Sequence, residues 1–166
     1  MKIKKENINI YNEEGVLHLK NIISKKWIKE LQKGVKKNFE NPSKYKCVYE
    51  KLGNKELFYD DYCNWQSISE YKNFLFKSNI AFIASQLMCS KKVNIFHDHV
   101  LIKEPGSIKK TPWHQDQSYY CVEGRQNISF WIPLDKVIGL RSPSPTAFRT
   151  AFSISILTAT SARFGS

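Results

Sequence analysis

Residues 96–137 decide the fold, and they read FHDHVLIKEPGSIKKTPWHQDQSYYCVEGRQNISFWIPLDKV. Apolar and polar residues alternate through the first part, and a Pro-Gly pair at 105–106 closes this run. The alternation returns in NISFWIPL near the end. Because successive side chains of a strand point to opposite faces, this period of two predicts two β-strands. The segment TPWHQDQSYY lies between them and is also interpreted as extended chain.

The chain before this stretch has the period of α-helices instead. Ser24 precedes a run in which apolar residues recur every three or four positions, which predicts a helix capped by that serine. A second helical region is predicted over residues 67–88, with Ser67 and Ser78 as its caps. Two further segments are interpreted as a short strand, 13–23, and as a turn-rich stretch, 51–64.

Helices that precede strands along the chain predict an α+β fold with an antiparallel sheet. At 166 residues the chain is long enough for one domain with one hydrophobic core. Hydrophobic residues make up 42% of the sequence, which excludes a disordered chain. The start, MKIKKENINI, lacks the apolar segment of a secretory signal, and no apolar run reaches the roughly 18 residues of a membrane helix. We therefore expect a cytoplasmic protein without a membrane partner.

The net charge of +11 raises the question of nucleic-acid binding. The lysines are scattered as singles and pairs among glutamates, and this pattern favours a solvated surface over a nucleic-acid groove. The four cysteines lie far apart and form no CxxC pair, so free thiols are expected rather than a zinc or redox site. We expect a small-molecule partner and no nucleic acid, while the oligomeric state stays open.

His114 and Asp116 stand one residue apart in TPWHQD. On an extended strand both side chains would project from the same face, as a two-point clamp for one metal ion. An imidazole and a carboxylate suit Fe(II), and a second histidine would complete the two-His-one-carboxylate triad of non-haem iron oxygenases. The pair alone is weak evidence, since an ordinary hydrogen bond at a strand edge would need the same two residues.

The surroundings of the pair carry a specific resemblance. DHVLIKEPG, TPWHQD, the tyrosines that follow and SFWIPLD together resemble the phytanoyl-CoA dioxygenase family of Fe(II)- and 2-oxoglutarate-dependent oxygenases. The resemblance covers residues 1–137. It implies a double-stranded β-helix, or jelly roll, with N-terminal helices. It also implies a dioxygenase that consumes 2-oxoglutarate and O2 to hydroxylate a small organic substrate. The alternative from another class is a non-enzymatic jelly-roll binding protein.

The resemblance assigns roles to individual positions. His114 and Asp116 match the first two iron ligands and are therefore the candidate catalytic and metal-binding residues. Gln115, Trp131 and, less securely, Val100 match positions that border the 2-oxoglutarate pocket. The aromatic residues that would flank the mouth of the metal site, as candidate substrate contacts, are Trp113, Tyr119 and Tyr120.

The HDH segment at 97–99 is a competing metal site. His97 and His99 share one face of the predicted strand, whereas Asp98 points to the other, so the three cannot hold one ion without a bulge. We favour strand residues with hydrogen-bond partners, and Asp98 as a group that supports the iron site from behind its ligands.

The tail, residues 138–166, departs from the family pattern. The chain before it has 22 lysines and one arginine, whereas the tail has three arginines, no lysine and 10 serines or threonines. No histidine follows His114, so the family's third iron ligand is absent. We expect no further strand and no Gly-Ser-His segment in the tail. We interpret the chain as an N-terminal fragment with a frameshifted or foreign tail, and with impaired activity. None of the arginines stands in the context of the family's 2-oxoglutarate-binding arginine: Arg141, Arg149 and Arg163.

Overall fold

Four α-helices and five β-strands are present in the residues that this computed structural model describes, which are 2–112, 114–121, 124, 126–135 and 150–157. The helices are α1 (Lys5–Glu14), α2 (Lys25–Glu40), α3 (Ser69–Lys77) and α4 (Ile80–Leu87). The strands are β1 (Cys47–Leu52), β2 (Lys55–Tyr62), β3 (Asn94–Lys103), β4 (Asn127–Pro133) and β5 (Thr150–Leu157). Neighbouring strands are antiparallel throughout, so the predicted α+β class with an antiparallel sheet is confirmed.

The strand order is β1-β2-β3-β5-β4, which inserts β5 between the two strands that the sequence predicted. The register pairs Phe152 of β5 with Val100 on one side and with Ile132 on the other. Because β5 belongs to the tail, the expectation that the tail supplies no further strand is wrong. Its sequence, TAFSISIL, has the alternation of a strand, which the unusual composition of the tail conceals. The tail arginines lie outside the described residues: Arg141, Arg149 and Arg163.

The helix predicted after Ser24 is confirmed as α2. The Ser24 Oγ accepts a hydrogen bond from the backbone N–H of Trp27 at 3.4 Å, which is the cap that the sequence predicted. Leu31 and Val35 are buried in the core, as their helical spacing requires. Within the part of the chain that the structure describes, no helix is both long and apolar enough to span a membrane.

The predicted second helical region forms two helices, but its caps are not the predicted ones. The N-cap residues are Ile68 for α3 and Asn79 for α4, and neither side chain accepts a capping hydrogen bond. The backbone N–H groups of Ser67 and Ile68 both donate to the carbonyl oxygen of Asn64. This turn delays the start of α3, so Ser67 lies outside the cap position. Ser78 lies one residue before the N-cap position of α4, but its Oγ accepts a hydrogen bond from the backbone N–H of Ile80, the first residue of α4, at 3.2 Å.

The two remaining sequence interpretations are wrong. The stretch 51–64 holds most of the β1–β2 hairpin, because its turn residues occupy only the two positions between Leu52 and Lys55. Gly53 there has a φ of +59°, in the left-handed region that favours glycine. The expected strand at 13–23 is absent, since α1 runs through Glu14 and the remaining residues form no strand.

The sheet has two different faces. Val100 and Ile102 of β3 are buried in the core together with Ile128 and Ile132 of β4 and with side chains of the helices. The residues that alternate with these four point to the opposite face. We call this second face the site face, and its described members near the candidate site are Asp60, Tyr62, His97, His99, Ser129 and Trp131.

Candidate metal centre

His114 and Asp116 do not lie on a strand. The described residues of 111–115 form no regular element, and a 3-10 helix begins at Asp116. The backbone N–H of Ser118 donates to the carbonyl oxygen of Gln115 at 3.2 Å and closes this turn. The extended conformation predicted for the motif is therefore wrong, because local turn bonding replaces strand pairing at this point.

The two side chains nevertheless meet. His114 Nε2 lies 3.3 Å from Asp116 Oδ1, and the other ring nitrogen, Nδ1, lies 2.8 Å from the carbonyl oxygen of Pro112. A carbonyl oxygen only accepts, so Nδ1 carries a hydrogen and donates to it. In a neutral imidazole, Nε2 then presents a lone pair to a carboxylate oxygen. At this distance one cation, either a second proton or a metal ion, can contact both atoms.

The exposure of the pair also fits a metal ion. The side chains of His114 and Asp116 are 39% and 50% exposed, so an ion and further ligands can reach both atoms. Among the described residues, no three histidine, cysteine, aspartate or glutamate side chains converge on one point. The described chain therefore offers a two-residue clamp, and a metal ion bound there would keep most of its coordination positions for other ligands.

Tyr120 connects this loop to the site face. Its hydroxyl lies 3.0 Å from Ser129 Oγ of β4. Its ring packs edge-on against Phe96 and His97 of β3, with centroids 5.1 and 5.4 Å apart. A bulge between residues 95 and 97 of β3 allows both rings to reach the same tyrosine. Trp113, the third aromatic candidate, lies outside the described residues.

The other predicted site residues fall into two groups. Gln115 and Tyr119 are exposed beside the pair, and the Tyr119 ring centroid lies 5.9 Å from that of His114. Trp131 is 46% exposed on the site face. Val100, in contrast, is buried in the core beneath the opposite face. The alternation of β3 directs its side chain away from the site face, so Val100 does not reach the candidate pocket in this structure.

Asp98 does not support the iron site. Its side chain is fully buried, and its two oxygens accept the backbone N–H groups of Asn64 (3.1 Å) and Trp65 (3.0 Å). Burial raises the pKa of the Asp98 carboxyl even though these two amides favour its charged form. Asp98 therefore fastens β3 to the turn that precedes α3, and the expectation of a role behind the iron ligands is wrong.

A second cluster on the site face contains His99 of the HDH segment together with residues that were not singled out in the sequence. Asp60 Oδ2 accepts hydrogen bonds from the Tyr49 hydroxyl (2.7 Å) and from His99 Nε2 (3.1 Å). Tyr62 stacks on the His99 ring at a centroid distance of 3.9 Å. Asp60 is only 2% exposed, and burial of Tyr49, followed by its hydrogen bond to Asp60, raises the pKa of Tyr49. β2 carries no alternation that could have predicted this cluster, because five consecutive residues of the strand are buried.

His97 completes the wall of the site face. Its Nδ1 is buried and has no hydrogen-bond partner, while its ring packs against Tyr62 and Tyr120. Burial, and then the neighbouring His99, lower the pKa of the His97 imidazole, so the ring is neutral near pH 7. The HDH residues were predicted to be strand residues with hydrogen-bond partners. This holds for His99 and Asp98, but His97 Nδ1 has no such partner.

Solved structures with a similar fold include two enzymes. One is the non-heme alpha ketoglutarate dependent carbocyclase SnoK from nogalamycin biosynthesis, with a TM-score of 0.72 and 15% identity over 97% of this chain and 79% of that chain. The other is the epimerase SnoN, solved in complex with Fe3+, alpha ketoglutarate and nogalamycin RO, with a TM-score of 0.73 and 12% identity over 97% of this chain and 86% of that chain. At this identity the likeness concerns the fold.

The sequence itself identifies the family. The profile of the phytanoyl-CoA dioxygenase (PhyH) family matches residues 11–138, which include both strands β3 and β4 and the His114–Asp116 pair. The chain belongs to this family, and the resemblance found in residues 96–137 is confirmed. No curated protein matches the sequence significantly.

Proposed function

We propose that the chain is a non-haem Fe(II)- and 2-oxoglutarate-dependent dioxygenase of a small organic substrate, and that its activity is impaired by the lack of a third iron ligand. The observation that carries the proposal is the convergence of His114 Nε2 and Asp116 Oδ1 at 3.3 Å, where one metal ion can contact both atoms. The family membership supports the same assignment. In this proposal the sheet forms one wall of a double-stranded β-helix, whose interior is the site face, and the protein acts in the cytoplasm.

Each residue has a defined task in this proposal. His114 and Asp116 hold the iron, and the hydrogen bond from His114 Nδ1 to Pro112 keeps Nε2 free to bind it. Bound iron supplies the point at which 2-oxoglutarate and O2 react. Gln115 and Trp131 border the 2-oxoglutarate, and we withdraw Val100 from this role because its side chain lies in the core.

The aromatic residues shape the entrance for the substrate. Tyr119 is 76% exposed beside His114 and would contact a substrate directly. Tyr120, fixed by Ser129 and by the rings of β3, would exclude water from one side of the metal. Trp113 keeps its proposed place at the entrance on the strength of the resemblance alone.

The activity is proposed to be impaired because the chain contains no histidine after His114. A clamp of two protein ligands holds a divalent ion more weakly than the three of a facial triad. We retain the proposal that residues 138–166 are an atypical tail of frameshifted or foreign origin. β5 belongs to this tail, and its apolar residues alternate as in a strand.

Tryptophan fluorescence separates the enzyme from a non-enzymatic binding protein. Under anaerobic conditions we expect Fe(II) to quench the tryptophan fluorescence of the purified chain, because Trp131 lies on the site face. We also expect 2-oxoglutarate to change the curve obtained when Fe(II) is titrated into the chain. A binding protein in which His114 and Asp116 form only a hydrogen-bonded pair would show a curve that neither Fe(II) nor 2-oxoglutarate alters. Zn(II) with 2-oxoglutarate serves as a redox-inactive comparison.

A further inference from the structure

Glu50 of β1 holds the loop that leads to the metal pair. Its carboxylate accepts the hydroxyl of Ser107 and the backbone N–H groups of Ile108 and Lys109, both at 3.1 Å. These three donors follow one another directly after the turn at the end of β3. One carboxylate therefore fixes three consecutive residues of this loop.

The shape of β1 aims Glu50 at this loop. The pairing of β1 with β2 shifts register on both sides of Glu50, so the strand bulges there. Bulges of this kind redirect a side chain and are frequent beside functional sites. The Lys109 ammonium group donates to the carbonyl oxygen of Tyr49 at 3.1 Å and ties the same loop to the bulge a second time.

The start of the loop is tightly packed. Ser107 is fully buried, and its backbone N–H donates to the carbonyl oxygen of Glu104 at 3.1 Å. Gly106 between them has a φ of +94°, which a residue with a side chain rarely adopts. The Ser107 hydroxyl, and then the two amides, lower the pKa of the Glu50 carboxyl, so Glu50 is charged at neutral pH.

We propose that Glu50 is a positioning residue for the metal pair: by fixing residues 107–109 it sets the course of the loop that carries His114 and Asp116. This inference rests on the function proposed above. A clamp of only two protein ligands depends strongly on how well they are held in place before the ion arrives. Pro112, the partner of His114 Nδ1, lies three residues beyond the anchored segment, so the anchor also supports the orientation of the imidazole.

Three variants test this role: Glu50→Ala, Glu50→Gln and the control Glu56→Ala. Glu50→Gln keeps one acceptor oxygen but replaces the other with an NH2 group, which faces an N–H donor and cannot accept from it. Its digestion rate and metal affinity should therefore lie between those of wild type and Glu50→Ala. Glu56 belongs to the same hairpin and pairs with Lys46, so it controls for the loss of a hairpin carboxylate that does not touch the loop.

The first measurement is limited digestion with trypsin, which cleaves after lysine. We expect Glu50→Ala to be cut after Lys109 or Lys110 several-fold faster than wild type, while Glu56→Ala is cut there at the wild-type rate. The second measurement is the affinity for Mn(II), a redox-stable substitute for Fe(II). Residues that orient metal ligands typically change affinity by 10- to 100-fold, so we expect about a 10-fold loss in Glu50→Ala with little change in melting temperature.

The outcomes separate this role from the proposed function. If wild type and Glu50→Ala bind Mn(II) equally, the positioning role is overturned while the metal site stands. If Glu50→Ala loses affinity only in proportion to a lower melting temperature, Glu50 is a structural residue and the positioning role is again overturned. If wild type binds no Mn(II), the proposed function fails, and the role of Glu50 fails with it.

Discussion

Two buried carboxylates of the sheet illustrate opposite balances of burial and hydrogen bonding. Asp61 accepts from the Asn38 amide (2.7 Å) and from both the hydroxyl and the backbone N–H of Ser43. Burial alone would raise the pKa of Asp61, but these bonds outweigh it and lower the pKa. At Asp98 burial outweighs the two backbone amides, and the pKa is raised. The number and kind of donors decide the sign.

Asp61 should give the protein a stability that acid removes. Because its folded pKa is lowered, its contribution is complete above the unfolded value of about 3.9 and is lost as the pH falls through the folded pKa. Urea unfolding at pH 6 and pH 3 measures this loss. We expect the free energy of unfolding of Asp61→Asn at pH 6 to be about 1–3 kcal/mol lower than that of wild type. Between pH 6 and pH 3 this variant should lose less stability than wild type does. Glu13→Gln, an exposed control in α1, should keep the wild-type pH dependence. An unchanged acid loss in Asp61→Asn would contradict the assignment.

The proximity of His114 and Asp116 could be predicted from their spacing, but its cause could not. Two side chains separated by one residue lie close in a strand, and the observed turn also brings them within 3.3 Å. The partner of His114 Nδ1, the Pro112 carbonyl, depends on the actual backbone course of the loop. The same holds for Glu50, since a bulge in β1 has no signal in the sequence pattern.

Among the elements, α2 and α3 approach each other at Gly34. A Cβ atom at this position would lie 2.5 Å from Cε1 and 2.7 Å from Cδ1 of Tyr71, a ring that is fully buried. Tyr71 is held in place, because its hydroxyl lies 3.3 Å from Asn38 Oδ1 and its ring is completely buried in the core. The close contact of the two helices therefore requires glycine.

Gly34→Ala should destabilise the protein although alanine favours helices. The gain in helix propensity is about 1 kcal/mol, whereas overpacking a core contact costs about 1–3 kcal/mol, so we expect a small net loss in the free energy of unfolding. Thermal denaturation measures it. Lys33→Ala, at the neighbouring exposed position, gains a little helix propensity and loses only an exposed ion pair with Glu30, so it should be close to neutral. A Gly34→Ala protein as stable as Lys33→Ala would show that α3 can shift freely.

Periodicity predicted the elements that have a long, regular pattern. α2, β3 and β4 were found because each shows its period over several residues, and α2 also carries its Ser24 cap. The β1–β2 hairpin was missed because Gly53 and the residues around it read as turns, although the turn itself is short. β5 was missed because its alternating apolar residues lie within the Ser/Thr-rich tail, whose composition differs from that of the rest of the chain.

For the whole molecule, β5 is the strand that joins the two predicted parts of the sheet. It pairs with β3 over 94–102 and with β4 over 127–133. In the described residues β3 and β4 do not pair with each other, so β5 alone connects them within the sheet. The tail therefore contributes to the sheet whatever its origin. The family could be recognised from residues 96–137, since those motifs are local, whereas the position of β5 depends on pairing between distant segments.

Ending the chain at residue 137 should disrupt the sheet. Removal of β5 exposes the backbone groups of β3 and β4 that it pairs, and unpaired edges of this kind promote aggregation. We expect the truncated chain to bind a hydrophobic dye strongly and to unfold with low cooperativity, compared with the full chain under the same conditions. A truncated monomer with an equally sharp transition would show that β5 is dispensable.

Metal binding by His114 and Asp116 is tested most directly by isothermal titration of Mn(II) into wild type, Asp116→Ala and His18→Ala. His18 is an exposed histidine of the segment between α1 and α2, so its loss controls for removal of an imidazole elsewhere. We expect wild type and His18→Ala to bind one ion with the same affinity, and Asp116→Ala to lose most of it, because a lone imidazole is a poor chelator. Equal titration curves for wild type and Asp116→Ala would contradict the assignment of the metal site to this pair.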